Sequence, residues 1–123
     1  MNSPKTVLVV DDSRFSRLIS RQIILSKYPE WRVEEASTGE EAIEKANAVP
    51  ADLVLMDVNM PGMGGIEASE KLRDQFPTLR IFLQTANIQE ATRKKAAALG
   101  IGFLEKPINE GRIHKVLEEL GNG

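Results

Sequence analysis

The chain has no cysteine, and among its 123 residues there is one tryptophan, one tyrosine and one histidine. Without a thiol there is no disulfide framework, no thiolate nucleophile and no cysteine-based metal site. Sixteen basic residues against 18 acidic ones leave a net charge of −2, so the chain has no bulk attraction to nucleic acid or to an anionic membrane surface. Neither partner is expected. The amino terminus, MNSPKTVLVVDD, offers an apolar run of four residues before two aspartates. That is too short for a signal-peptide core or a membrane span, and a cytoplasmic location is expected. There is no low-complexity tract and no repeat at fixed period.

What is present is ordinary for a folded protein. Hydrophobic residues make up 41% and charged residues 28%. The length suits a single hydrophobic core, so residues 1–123 are read as one domain with no output module. Short apolar runs alternate with stretches of helical period, which argues for an α/β fold with a parallel sheet covered on both faces. Five strands are expected, at residues 6–10 (TVLVV), 31–36 (WRVEEA), 52–57 (DLVLMD), 80–85 (RIFLQT) and 102–106 (GFLEK). The first and third are continuous enough to lie at the centre of the sheet, and the more polar second belongs at an edge.

Five helices fall between and after them. Phe15, Leu18, Ile19 and Ile23 follow the helical spacing after a Ser13 cap, and Ala42, Ile43, Ala46 and Val49 follow it after STGEE. Ile66, Ala68, Leu72 and Phe76 mark the third, ended before Pro77. Ile113, Val116, Leu117 and Leu120 mark the fifth, ended by Gly121. The fourth, NIQEATRKKAAALG, has an apolar face made mostly of alanine, buries little area per residue, and should be held least firmly.

The polar residues collect at one place. Asp11 and Asp12 follow the first strand, Asp57 ends the third, Thr85 the fourth and Lys106 the fifth. In a parallel sheet these carboxyl ends share one edge, where open α/β sheets bind ligands. Three carboxylates brought together repel one another unless a cation neutralises them. Oxygen ligands without histidine or cysteine select a hard ion, and few protein ligands with room for water and phosphate oxygens suit Mg²⁺ better than Ca²⁺. Lys106 would then face an anion such as a phosphoryl group. An aspartate can itself accept a phosphoryl group as an acyl phosphate, which makes Asp57 a candidate nucleophile as well as a ligand.

VLVVDDS, LVLMDVNMPGMGGIE, QTA and EKP together resemble the motif set of response-regulator receiver domains, at the family's spacing and over essentially the whole chain. Each piece alone is weak evidence, but their joint occurrence in this order is specific. The resemblance implies a doubly wound, flavodoxin-like fold with sheet order 2-1-3-4-5 and five helices. It implies that Asp57 is the phosphoacceptor, with Asp12, Asp57 and the backbone carbonyl of Asn59 as Mg²⁺ ligands and Asp11 acting through a bound water. Lys106 would contact the phosphoryl oxygens, Thr85 would move to hydrogen-bond them, and Phe103 would rotate inward as an aromatic switch. Asn59 and Asn87 would tune dephosphorylation, and the Lys106–Pro107 peptide would be cis. The implied function is that of a stand-alone two-component signal-transduction switch, of chemotaxis or phosphorelay type. It would be phosphorylated by a histidine kinase or a histidine phosphotransfer protein, would hydrolyse the phosphoryl group slowly itself, and would not be an enzyme proper. Output would be a phosphorylation-dependent contact of helix four, strand five and helix five with a downstream protein, from a monomer.

The main rival keeps the fold and drops the switch, as an adaptor that binds its partner regardless of phosphate. A phosphohydrolase of the haloacid-dehalogenase type is disfavoured because Asn59, two residues beyond Asp57, stands where those enzymes carry a second aspartate. A flavin-binding flavodoxin is disfavoured by the acids at the phosphate position. His114 is read as a surface residue, residues 93–95 (RKK) as a solvated face, and Trp31 as a packing residue far from the site.

Overall fold

The five apolar runs become one parallel sheet, in a computed structural model that describes residues 4–60, 62–86, 89–106 and 109–122. The strands are β1 (Thr6–Val10), β2 (Arg32–Ala36), β3 (Leu53–Asp57), β4 (Arg80–Thr85) and β5 (Gly102–Glu105), in the order β2-β1-β3-β4-β5. The helices are α1 (Arg14–Lys27), α2 (Gly39–Ala48), α3 (Gly65–Gln75), α4 (Glu90–Leu99) and α5 (Glu110–Asn122). Every strand is followed by a helix, and every strand pair is parallel, with Val9 opposite Leu55 and Asp57 opposite Gln84. Central β1 and β3 are buried on both faces, and β2 lies at an edge, as their sequences indicate.

Strand alternation splits the core into two layers. Leu8, Val10, Val54, Met56, Ile81 and Leu83 face Ala42, Ala46, Ala68, Leu72 and Ala96 of α2, α3 and α4. Val7, Val9, Leu53, Leu55 and Leu104 face Ile23 and Ile24 of α1 and Ile113, Val116, Leu117 and Leu120 of α5. Leu55 and Met56 are fully enclosed, each worth about 1.5–3 kcal/mol of burial. At the end of the sheet away from its carboxyl edge, the Trp31 ring stacks on Tyr28 with centroids 4.0 Å apart. The turn made by the Trp31 N–H to the Tyr28 carbonyl (3.0 Å) holds Trp31 out of β2, which starts one residue later than its sequence suggests.

The helix caps follow their sequences. Ser13 Oγ accepts from the Ser16 N–H (3.2 Å) and Thr38 Oγ1 from the Glu41 N–H (3.0 Å), each satisfying an orphan donor of the first turn. The fourth helix is the weakest held: only Ala96 is buried, and no side chain caps its amino end. Its carboxyl end closes on Gly100 at φ 70°, a left-handed cap that favours glycine.

Three expectations need correction. Phe15 and Leu18 do not face the core but stand 71% and 48% exposed, because α1 turns Ser20, Ile23 and Ile24 onto the sheet. His114 is half-buried, with Nε2 enclosed and without a hydrogen-bond partner among the described residues. Gly121 does not stop α5, which continues to Asn122; a glycine in a terminal turn costs a helix little.

Candidate functional site at the carboxyl edge of the sheet

The topology brings Asp11, Asp12, Asp57, Thr85 and Lys106 to one edge. Asp11 is the first residue past β1, and its N–H still donates to the Ala36 carbonyl (3.1 Å), so β2 holds its backbone. Its Oδ1 accepts the Ser13 N–H (2.9 Å), and Arg17 Nη1 donates to its carbonyl (2.6 Å). Arg17 is itself held by Glu35, with Nε 3.0 Å from Oε1. Asp11 is therefore fixed from three sides and only 2% exposed. Asp12 beside it is exposed to solvent.

Asp57 closes β3 and is buried. Beyond it the Val58 N–H donates to the Gln84 carbonyl and the Gly65 N–H to the Val58 carbonyl, both at 3.2 Å, so the chain turns tightly into α3. The turn requires Gly65: a Cβ there would lie 2.1 Å from the Asp57 carbonyl oxygen. The Asn59 N–H approaches Asp57 Oδ1 at 3.4 Å, and the Asn59 side chain is exposed.

Lys106 follows β5, its N–H donating to the Thr85 carbonyl (3.0 Å). Its Nζ lies 3.2 Å from Asp57 Oδ1 and 3.7 Å from Asp11 Oδ2. Thr85 ends β4 buried. Phe103 is half-buried in β5, with the Arg93 guanidinium 5.8 Å from its ring centre. Asn87 and the Lys106–Pro107 peptide lie outside the described residues.

One oxygen from each of Asp11, Asp12 and Asp57 lies within 4.8 Å of the others. Asp11 Oδ2 is buried without a hydrogen bond among the described residues. Burial raises the Asp11 pKa above the usual carboxylate value; the Ser13 N–H opposes this, and the negative charge of Asp57 adds to it. A carboxylate that is costly to ionise, with an oxygen that has only the Lys106 ammonium at 3.7 Å against two more acids, fits a divalent cation that takes hard oxygen ligands. Lys106 alone cannot neutralise three acids.

A family model, the response regulator receiver domain, matches residues 7–118. The chain belongs to this family. Chemotaxis protein CheY of Thermotoga maritima is 34% identical over 117 residues, covering 94% of this chain and 97% of that protein. The nitrate/nitrite response regulator protein NarL of Escherichia coli K12 is 35% identical over 121 residues, covering 98% of this chain. This chain spans only 56% of NarL, and only 10% of the similarly matched sensor protein EvgS. Among solved structures, chemotaxis protein CheY4 of Vibrio cholerae superposes with a TM-score of 0.88 at 30% identity, over 96% of this chain and 99% of that one. Receiver domains are phosphoacceptor switches that bind Mg²⁺ at an acidic pocket, and they exchange signals with kinases or phosphotransfer proteins and with downstream targets. Among the described residues no helix is long and apolar enough to cross a membrane.

The α/β fold and the convergence of the acids with Lys106 were legible in the sequence, and the strand order followed from the resemblance to receiver domains. Sequence reasoning missed Gly65, Arg17, Gln84 and Arg73. Gly65 and Gln84 left visible signals, one as a glycine opening a helix and the other as a polar residue inside an apolar strand.

Proposed function

We propose that this chain is a phosphorylatable cytoplasmic receiver whose Asp57 accepts a phosphoryl group from a phosphohistidine donor. The observation that carries the reading is Lys106 Nζ at 3.2 Å from Asp57 Oδ1, inside a cluster of three carboxylates. A buried carboxylate on a rigid central strand, a cation-binding acidic set and an ammonium are the parts that phosphoryl transfer requires, since positioning and charge stabilisation dominate that chemistry. Asp12, Asp57 and the Asn59 carbonyl would hold Mg²⁺ directly, with Asp11 acting through a water, and the ion would neutralise charge on the incoming phosphoryl oxygens. Asp57 attacks phosphorus through a carboxylate oxygen, the donor imidazole leaves, and Lys106 steadies the equatorial oxygens.

Thr85 would move to hydrogen-bond the phosphoryl group, and Phe103, which packs against the core layer on the thinly anchored α4 side of the sheet, would rotate inward as it does so. Phosphorylation would favour one of two arrangements of α4, β5 and α5, and a downstream protein would read that surface. Asn59 and Asn87 would set the lifetime of the acyl phosphate. The donor must reach the rim of the site, and there Phe15 and Leu18 present the large exposed apolar surface of α1, directly after Asp12. That exposed pair would be the contact for the donor.

The test is transfer from a phosphorylated histidine kinase or phosphotransfer protein. Label should move to the native chain and not to Asp57→Asn. Phe15→Ala should slow transfer from the protein donor and leave uptake from acetyl phosphate unchanged. An Asp57→Asn chain labelled like the native one would contradict the assignment.

A further inference from the structure

Gln84 is fully enclosed, at 0% exposure, and among the described residues neither its amide nitrogen nor its amide oxygen has a hydrogen-bond partner. Buried amides are normally paired, and an unpaired one destabilises the fold that holds it. A side chain of similar volume without polar atoms, such as methionine, would fill this strand position without that penalty. The position is specific. Gln84 is the register partner of Asp57 on one side and of Leu104 on the other. Alternation along β3 and β4 places its side chain on the same sheet face as Asp57. Its own carbonyl accepts the Val58 N–H (3.2 Å), and the carbonyl of the next residue, Thr85, accepts the Lys106 N–H (3.0 Å). The Gln84–Thr85 pair thus carries the backbone on either side of the reacting carboxylate and ammonium.

We propose that Gln84 is a positioning residue of the phosphorylation site, with a carboxamide that gains partners only in the phosphorylated arrangement. The amide N–H donates to the Asp57 side chain, and the amide oxygen accepts from the Lys106 ammonium. A carboxamide suits that place because it offers a donor to the carbonyl oxygen left on the Asp57 acyl phosphate and an acceptor to a cation at once. Its unpaired burial destabilises the resting state, and its pairing stabilises the phosphorylated one. That difference between states is what moves a two-state equilibrium. The inference rests on the receiver reading given above.

The test compares native protein with Gln84→Met and Gln84→Leu, using Mg²⁺ and beryllofluoride as the phosphoryl mimic. Both variants should melt at a higher temperature than native without ligand, and should bind the mimic roughly five-fold more weakly, the equivalent of one hydrogen bond. In the native chain, the Gln84 side-chain amide protons should shift and exchange more slowly when the mimic binds. A merely structural amide would alter melting alone. Unchanged affinity in the variants, or amide signals that do not respond in the native chain, would overturn the proposal. The native spectra decide the matter even if a variant fails to fold. A native chain that takes no beryllofluoride would instead overturn the receiver reading itself.

Discussion

Lys106 Nζ stands 3.2 Å from Asp57 Oδ1 and 3.7 Å from Asp11 Oδ2, so a single ammonium serves two buried carboxylates at the carboxyl ends of different strands. It competes with any cation for the same oxygens. Lys106→Gln should therefore bind Mg²⁺ more tightly than native while accepting a phosphoryl group more slowly. A preorganised charge of this kind is worth about 10²–10³ in rate. Mg²⁺ titration and acetyl phosphate kinetics check both directions. A faster reaction, or weaker Mg²⁺ binding, would mean that the lysine plays another part.

Gly65 sets the distance between β3 and the start of α3. Because a Cβ would lie 2.1 Å from the Asp57 carbonyl oxygen, Gly65→Ala must push strand and helix apart. The expected loss is about 1–3 kcal/mol in denaturant unfolding, with a lower phosphorylation rate because Asp57 moves. Gly100→Ala makes a useful comparison: a Cβ there meets no neighbouring atom, but its φ of 70° imposes a backbone penalty far from the site. It should lower stability and leave phosphorylation kinetics intact.

Arg73 ties α4 to the rest of the fold at one end. Its Nε donates to the Leu99 carbonyl (3.0 Å), and Nη1 to the Pro77 and Leu79 carbonyls (2.8 and 2.7 Å). Arg73→Met keeps most of the stem but loses these bonds. It should cost about 2 kcal/mol and speed hydrogen exchange in residues 89–100 more than in β1 or β3. Uniform acceleration across the chain would argue against a local anchor.

Apolar period and turn chemistry act locally and made the strands and the convergence of acids with lysine readable, while the strand order was readable only through the resemblance to receiver domains. The orientation of α1 was not readable. Phe15 and Leu18 keep helical spacing with Ile19, yet the sheet takes Ser20, Ile23 and Ile24, and which stripe docks depends on tertiary packing. Arg73 and Arg17 were invisible for a similar reason. Their partners are main-chain carbonyls and Glu35, and no local pattern in the sequence marks such contacts.

Asp11 gives the metal-free protein a defined pH dependence. Burial raises its folded pKa, so between the unfolded value, about 3.9, and the raised one the native state binds more protons than the unfolded chain. Its contribution is then fully present below the unfolded pKa and is lost as pH rises through the folded one. At neutral pH, Asp11→Asn should melt a few degrees above native in the absence of Mg²⁺, and the difference should disappear in acid below the unfolded value. Added Mg²⁺ should stabilise the native protein more than the variant. A variant less stable than native at neutral pH would contradict this account.

The central claim is that Asp57 is chemically modified. Intact-protein mass after incubation with acetyl phosphate, with and without Mg²⁺, tests it on the native chain and on Asp57→Asn. The account predicts a gain of one phosphoryl group that requires both Mg²⁺ and Asp57. A native chain that neither gains mass nor binds beryllofluoride with Mg²⁺ would contradict it, and would leave the chain a phosphate-independent adaptor with the receiver fold.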